Sequence, residues 1–242
     1  MAYRYETHCH TSECSACGAM PAAELIKFYK RAGYSGLCIT DHFTGNSALP
    51  EDMPWADRVN FFFRSYDKAR DAGKRHGLEI FFGIEYSIAP DINKMRTNTG
   101  NDFLILDPKK EWLLSNREAF TLKTTALLKK VRESGAFVIH AHPFNDKPWV
   151  EYIRLLPSSV DAVEIMNGTH SDFVNANAEA YAKAYGLLTT AGSDCHRPDI
   201  RVFGGVETDR PCRCAGDLIE AIHEKRARPF KEDAAFIKKF YK

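Results

Sequence analysis

The sequence predicts an α/β domain of seven parallel strands, nearer to a closed barrel than to an open sheet. Three observations carry this. Short, β-rich apolar runs recur along the chain, each too short for a helix. An amphipathic segment of helical length follows most of them. The connections back to the next run are short, which implies parallel strands joined by right-handed crossovers. Periodicity alone leaves closure open.

The expected strands are Tyr3–Thr7, Gly36–Thr40, Glu79–Glu85, Phe103–Leu106, Ala136–Ala141, Ala162–Met166 and Leu187–Ala191. "IFFGIE" and "GAFVIH" are almost continuously apolar, as strands buried on both faces should be. The first expected helix, "PAAELIKFYKRAG", begins with Pro21 near its first position and stops at Gly33. Leu25, Ile26, Tyr29 and Ala32 form its apolar stripe. Ala56–His76 carries Val59, Phe62, Phe63, Tyr66 and Ala69 on one face. Thr121–Ser134 ends at Gly135, Phe173–Tyr185 ends at Gly186, and Ala215–Arg226 closes before Pro229. Phe43–Trp55 and Tyr86–Asn101 read as long loops after strands, rising over one C-terminal face where function concentrates in such folds. No linker or low-complexity stretch divides the chain, so residues 1–242 are expected to form a single domain.

The balance of 33 basic and 32 acidic residues, net +1, excludes a broad cationic face for long nucleic acid and a polybasic membrane anchor. A small anionic ligand remains open. Residues 1–20 lack an apolar signal core, and no apolar run approaches the ~18 residues of a spanning helix. The seven cysteines are scattered and read as mostly reduced thiols, so a cytoplasmic location is expected. Nothing in the sequence sets the oligomeric state.

The polar residues gather at strand ends. "YETHCHTSE" places His8 and His10 two apart, on one face of the first strand. Asp41 and His42 follow the second strand, Glu85 ends the third, His140 and His142 end the fifth, and Asp194 and His196 follow the seventh. Six of the nine histidines thus lie where parallel strands converge. Neutral imidazoles with carboxylates are the ligand set of divalent transition metals. Each motif alone has a plainer reading: Asp41 as a helix cap, His140 as a core residue. The joint pattern of five strand ends points to two or three metal ions, with Glu85 as a bridging carboxylate.

These residues in this order, "THCHTS", "ITDHF", "GIE", "AHPF" and "GSDCHR", resemble the PHP (polymerase and histidinol phosphatase) family over Thr7 to Arg197. The resemblance implies a distorted seven-stranded (β/α)7 TIM-like barrel with a metal site at its C-terminal face and, in stand-alone members, phosphoesterase activity. It implies one ion at His8, His10, Glu85 and Asp194, a second shared by Glu85 and His142, and a third at His42 and His196 with an acidic residue from the first loop. The family's usual Asp near "SDG" in that loop is replaced here by "HTSECSACG", and Glu13 is the candidate ligand. Where many members carry a His before the fourth strand, Asn101 and Asp102 are the alternatives. His140 precedes the family's "AHP" and is assigned a supporting place.

The expected reaction is hydrolysis of a phosphate ester by a hydroxide shared between divalent ions (Mn²⁺, Zn²⁺ or Fe²⁺), because bound metal lowers the pKa of water towards ~7. Arg197, Arg201, Lys94 and Arg96 are candidates for the phosphate, since arginine suits bidentate contact. Asn167 and His170 follow the sixth strand, where they can touch substrate or serve the leaving group. Asp41 is placed to orient a ligand imidazole. Small sugar or nucleoside phosphates, bisphosphates and cyclic phosphates are the expected substrates. The rival readings are a metal-dependent amidohydrolase and a non-catalytic metal-binding domain. Cys14 and Cys17 with Cys212 and Cys214 offer a structural zinc site, and Cys14–Cys17 a redox pair.

Overall fold

A computed structural model describes residues 2–88 and 99–235. Nine strands form one strongly curved sheet: β1 (Tyr3–Cys9), β2 (Gly36–Ile39), β3 (Glu79–Ser87), β4 (Asp102–Leu106), β5 (Phe137–Ala141), β6 (Ala162–Asn167), β7 (Leu188–Gly192), β8 (Val202–Thr208) and β9 (Arg228–Asp233). The helices are α1 (Ala22–Arg31), α2 (Trp55–His76), α3 (Lys110–Ser115), α4 (Thr124–Glu133), α5 (Asp172–Tyr185) and α6 (Ala215–His223). The strand order is β7-β6-β5-β4-β3-β2-β1-β8-β9. The sheet curls until β7 meets β1: Thr7 Oγ1 donates to Ala191 O at 2.8 Å, and His10 N donates to Cys195 O at 3.0 Å. The result is a nearly closed barrel.

Two expectations change. The sheet has nine strands rather than seven, because "VFGGVET" and "RPFKED" form an antiparallel pair beyond β1. Nor is it wholly parallel: β4 runs antiparallel to both β3 and β5. That reversal matters for the site. Asp102, the first residue of β4, lies opposite Ser87 and Ala141, at the C-terminal ends of β3 and β5.

Helices cover the outside because their apolar stripes match the strands beneath. α1 buries Ala22, Leu25, Ile26 and Tyr29 against β2 and α2 residues such as Leu37 and Ala69. α2 turns Val59 and Phe62 into a cluster with Phe43, Phe103 and Val138. It ends at Gly77 with φ of 61°, a left-handed stop that glycine takes without a Cβ clash. Ser171 caps α5 by accepting from Val174 N. Among the described residues, no helix is long and apolar enough to cross a membrane.

All seven cysteines are free. Cys14 packs with Phe43 and Val59, whereas Cys212 packs with Tyr5 and Leu218 in a separate cluster. No group of possible metal ligands among the described residues contains a cysteine, so the single zinc site drawn from Cys14, Cys17, Cys212 and Cys214 is not formed.

Candidate metal centre

The strand ends bring His8, His10, His42, Glu85, His142, Asp194 and His196 together at one mouth. Four overlapping groups have ligand atoms within 4.8 Å of one another: His10–His42–His196, His8–His142–Glu164, His8–His10–Glu85, and Glu85–Asp102–His142. Glu85 is the hub. Its Oε1 lies 3.5 Å from His8 Nε2 and 3.5 Å from His142 Nε2; its Oε2 lies 3.5 Å from His10 Nε2 and 2.8 Å from His42 Nδ1. Asp194 Oδ1 closes the other side, 3.4 Å from His8 Nε2 and 3.2 Å from His10 Nε2.

The imidazoles are held from behind. His8 Nδ1 meets Glu164 Oε1 at 2.9 Å, and Glu164 Oε2 accepts from His142 N and Asn167 Nδ2. A carboxylate cannot donate, so His8 carries its proton on Nδ1 and turns the Nε2 lone pair inward. His10 is set similarly. Ser15 Oγ donates to Asp41 Oδ1 at 2.6 Å and lies 3.2 Å from His10 Nδ1. Its one proton is spent on Asp41, so His10 Nδ1 donates and Nε2 faces the centre. His196 Nδ1 donates to the Asp194 carbonyl at 2.9 Å. Gly192 permits the closeness: a Cβ there would sit 2.4 Å from His8 Cβ and 2.6 Å from Glu164 Oε1.

The electrostatics suit an ion cluster. His8 Nε2, His10 Nε2 and Asp102 Oδ1 are buried without a hydrogen-bond partner, and His42 Nδ1 has Glu85 Oε2 at 2.8 Å. Unpaired buried polar atoms are expensive unless something completes them, and divalent ions fit this donor set. Burial alone would push Glu85 and Asp194 up, but the surrounding histidines hold both well below the usual carboxylate range. Burial, with His196 and His42 alongside, pushes His10 well down, and burial and Glu85 raise Asp102 to about 6. His142 and Asp194 adopt φ of 26° and 52°, a left-handed backbone rare for such residues and common at functional sites.

The other expected site residues fall as follows. Asp41 accepts from Thr11 N, Thr11 Oγ1 and Ser15 Oγ, each at 2.6 Å, so it reaches His10 only through Ser15. Glu13 is not in the cluster. Both its carboxylate oxygens accept from Ala22 N at 3.1 Å, at the start of α1, where an acidic side chain is favoured. Asn167 has its side chain fully engaged, donating to Glu164 and Asp194 and accepting from Thr169. His170 stands with its ring 5.2 Å from His142, and burial with His142 brings it down to about 4. Arg197 and Arg201 are exposed, in the segment that follows His196. Lys94 and Arg96 lie outside the described residues. Asn101 is tied into its loop by Thr99, Tyr152 and Arg154, so of the two alternatives before β4 only Asp102 joins the cluster. His140 stacks on Phe103, ring centroids 4.8 Å apart.

Sequence reasoning missed Glu164 and Ser15, and paired Cys17 with Cys14 rather than with the histidines. Burial pushes the Cys17 thiol up, but hydrogen bonds with His196 and His42 bring it down to about 7. Glu164 stands mid-strand in "AVEIMN", where a lone buried carboxylate among apolar residues was the available signal.

The comparisons agree with this geometry. The family model described as the PHP domain matches residues 6–226. No curated protein matches the sequence. A two-domain protein of Bacteroides vulgatus containing a predicted PHP-like metal-dependent phosphoesterase is similar in structure, with a TM-score of 0.66, 16% identity, and coverage of 95% of this chain. This chain spans 65% of that protein's length. PsfC of Pseudomonas syringae gives a TM-score of 0.63 at 21% identity, over 98% of this chain and 93% of PsfC. An amidohydrolase of Chromobacterium violaceum, with bound sulfate, gives 0.57 at 16% identity, over 90% of this chain and 96% of its own.

Proposed function

Because the chain belongs to the PHP domain family, we propose that it is a metal-dependent hydrolase acting on phosphate esters of small molecules. The observation that carries this reading is Glu85, whose two oxygens each face imidazoles from a different side of the mouth. His8, His10, Glu85 and Asp194 would hold one divalent ion; Glu85, His142 and Asp102 a second; His42 and His196 a third. Ions in such a cluster supply positive charge for the phosphoryl oxygens and lower the pKa of water.

The chain's own residues do the rest. Glu164 and the Ser15–Asp41 pair fix His8 and His10 as Nδ1–H tautomers, so their Nε2 atoms are ready without reorganisation. Asn167 holds Asp194 in place. His170 is neutral near pH 7, so it meets a leaving-group oxygen as a hydrogen-bond donor or a base, not as a cation. Arg197 and Arg201, exposed in the segment after His196, are the groups to grip a substrate phosphate. With Lys94 and Arg96, which follow β3 in the sequence, they favour sugar or nucleoside phosphates, bisphosphates and cyclic phosphates. The balanced net charge disfavours long nucleic acid.

Amide hydrolysis is the second reading, favoured by the likeness to the Chromobacterium amidohydrolase. A glutamate rather than a modified strand lysine at the bridging position argues for the phosphoester. The deciding experiment is phosphate release from a panel of monoesters, bisphosphates and cyclic phosphates with added Mn²⁺, against a chelator control. Chelator-sensitive release is expected. No release from metal-loaded protein, with turnover of an N-acyl panel, establishes the second reading instead.

A further inference from the structure

Glu6 is a fully buried carboxylate outside the groups of possible metal ligands. It stands on β1 two residues before His8, and its side chain folds back along the strand, so that Oε1 accepts from His8 N at 2.8 Å. The carboxylate also reaches across to the end of β7. There Ser193 N donates to Oε1 at 3.0 Å, with Oε2 at 3.2 Å. The Tyr29 hydroxyl of α1 donates to Oε2 at 2.8 Å. β1 and β7 are not neighbours in the hydrogen-bonded strand order, so here a side chain stands where a ladder bond would be. One glutamate oxygen joins the main chain of His8 to the residue next to Asp194.

What Glu6 holds is a strained turn. Asp194 follows Ser193 directly and has φ of 52°. A residue with a side chain persists there only where its surroundings over-determine it. On the near side, Ser193 is fixed twice: its N–H is on Glu6, and its Oγ accepts from Gly204 N at 2.8 Å. On the far side, the Asp194 carbonyl accepts from His196 Nδ1 and the Cys195 carbonyl accepts from His10 N. Gly192 leaves room for the carboxylate, since a Cβ there would approach Glu6 Oε1 to 3.2 Å. A buried N–H left without an acceptor is strongly unfavourable. Without Glu6, Ser193 N has to find another partner, and Asp194 moves with it.

We propose that Glu6 is a positioning residue of the centre: by holding His8 N and Ser193 N on one oxygen, it sets the spacing of the His8 ring and the Asp194 carboxylate, and so the affinity for an ion that these two share. The acceptor matters here rather than the charge, because Oε1 alone serves both N–H groups. The proposal rests on the reading of the cluster as a metal centre and is independent of whether the substrate is an ester or an amide.

The test needs no substrate. Glu6→Gln keeps an acceptor oxygen and loses the charge, whereas Glu6→Leu keeps the bulk and loses the acceptor. The full chain of each variant is stripped, checked for folding by circular dichroism and reloaded with Co²⁺. Affinity is read by competition with a chromogenic chelator, and ligand geometry by the cobalt d–d bands. Glu6→Leu is expected to bind its ion roughly 10–100-fold more weakly with shifted bands, while Glu6→Gln stays within about threefold of wild type with unshifted bands. A packing role alone lowers the stability of Glu6→Leu and leaves its affinity and spectrum as in wild type; that result overturns the proposal. Equal loss in both variants makes the charge the working feature and also overturns it. Glu6→Thr, a strand former too short to reach Ser193, replaces Glu6→Leu where that chain does not fold. If neither folds, Glu6 is a folding residue and the proposal fails. Wild-type protein that binds no Co²⁺ overturns the metal-centre reading itself, and this proposal with it.

Discussion

Glu164 Oε1 stands 2.9 Å from His8 Nδ1, with both residues wholly buried. The pair sits behind the centre, and the glutamate also accepts from His142 N and Asn167 Nδ2. One carboxylate therefore sets a ring tautomer, a strand end and the amide that steadies Asp194.

Glu164→Gln keeps the shape but can offer an N–H where an acceptor is needed. His8 then loses its fixed tautomer. Metal affinity is expected to fall roughly 10–100-fold, the range for such supporting partners, while secondary structure is retained. Competition with a chromogenic chelator measures it, and unchanged affinity would mean that Glu164 does not orient His8.

Glu85→Gln removes the charge that faces four imidazoles. At least one bound ion should be lost, read by elemental analysis of protein purified with its metal. Turnover of the best substrate should drop by about a hundredfold or more. His42→Ala and Asp194→Asn should also lose activity without unfolding the barrel. Normal turnover in any of the three contradicts the site assignment.

Gly192→Ala puts a methyl group where His8 and Glu164 already meet. Overpacking of this kind destabilises by about 1–3 kcal/mol. Denaturant unfolding of the metal-free protein isolates the packing effect from any change in ion binding. A variant as stable as wild type would show that the two side chains have slack.

His140 gives a pH dependence with a defined sign. Burial, then the nearby His142, lowers its pKa from 6.5 to about 3. Between those values the unfolded chain binds the proton and the folded chain does not. Its stability contribution is therefore full above pH 6.5 and is lost as pH falls towards 3. His140→Phe, which keeps the ring beside Phe103, should remove up to one proton from the slope. That is roughly 1.4 kcal/mol per pH unit across this window. Parallel stability–pH curves for wild type and variant would falsify the assignment.

What was legible in the sequence followed from alternation and position. His8 and His10 share a face because strands repeat every two residues, and Asp41-His42, Glu85, His142 and Asp194 stand at the ends of apolar runs. Strand direction was not legible, because an apolar run reads the same in either sense. Hence the pattern alone makes β4 parallel and does not separate Asp102 from Asn101. β8 was hidden by Gly204 and Gly205, and β9 by its proline and charges. Cys17 was obscured for a different reason: "CSAC" invites pairing with Cys14, yet three-dimensional packing sends Cys14 into the core and Cys17 to the histidines.

The meeting of β7 with β1 has a consequence for folding. That seam is spanned by few main-chain bonds and joins parts of the chain about 185 residues apart, which makes its closure entropically late. His8 and His10 belong to one lip of the seam, Asp194 and His196 to the other. An ion held between them acts as a clasp, binding the closed barrel and not the open one, and so shifts the opening equilibrium by mass action. Amide protons along β1 and β7 should then exchange more slowly in loaded protein than in stripped protein, while the β3–β4–β5 arc, already hydrogen-bonded along its length, changes least.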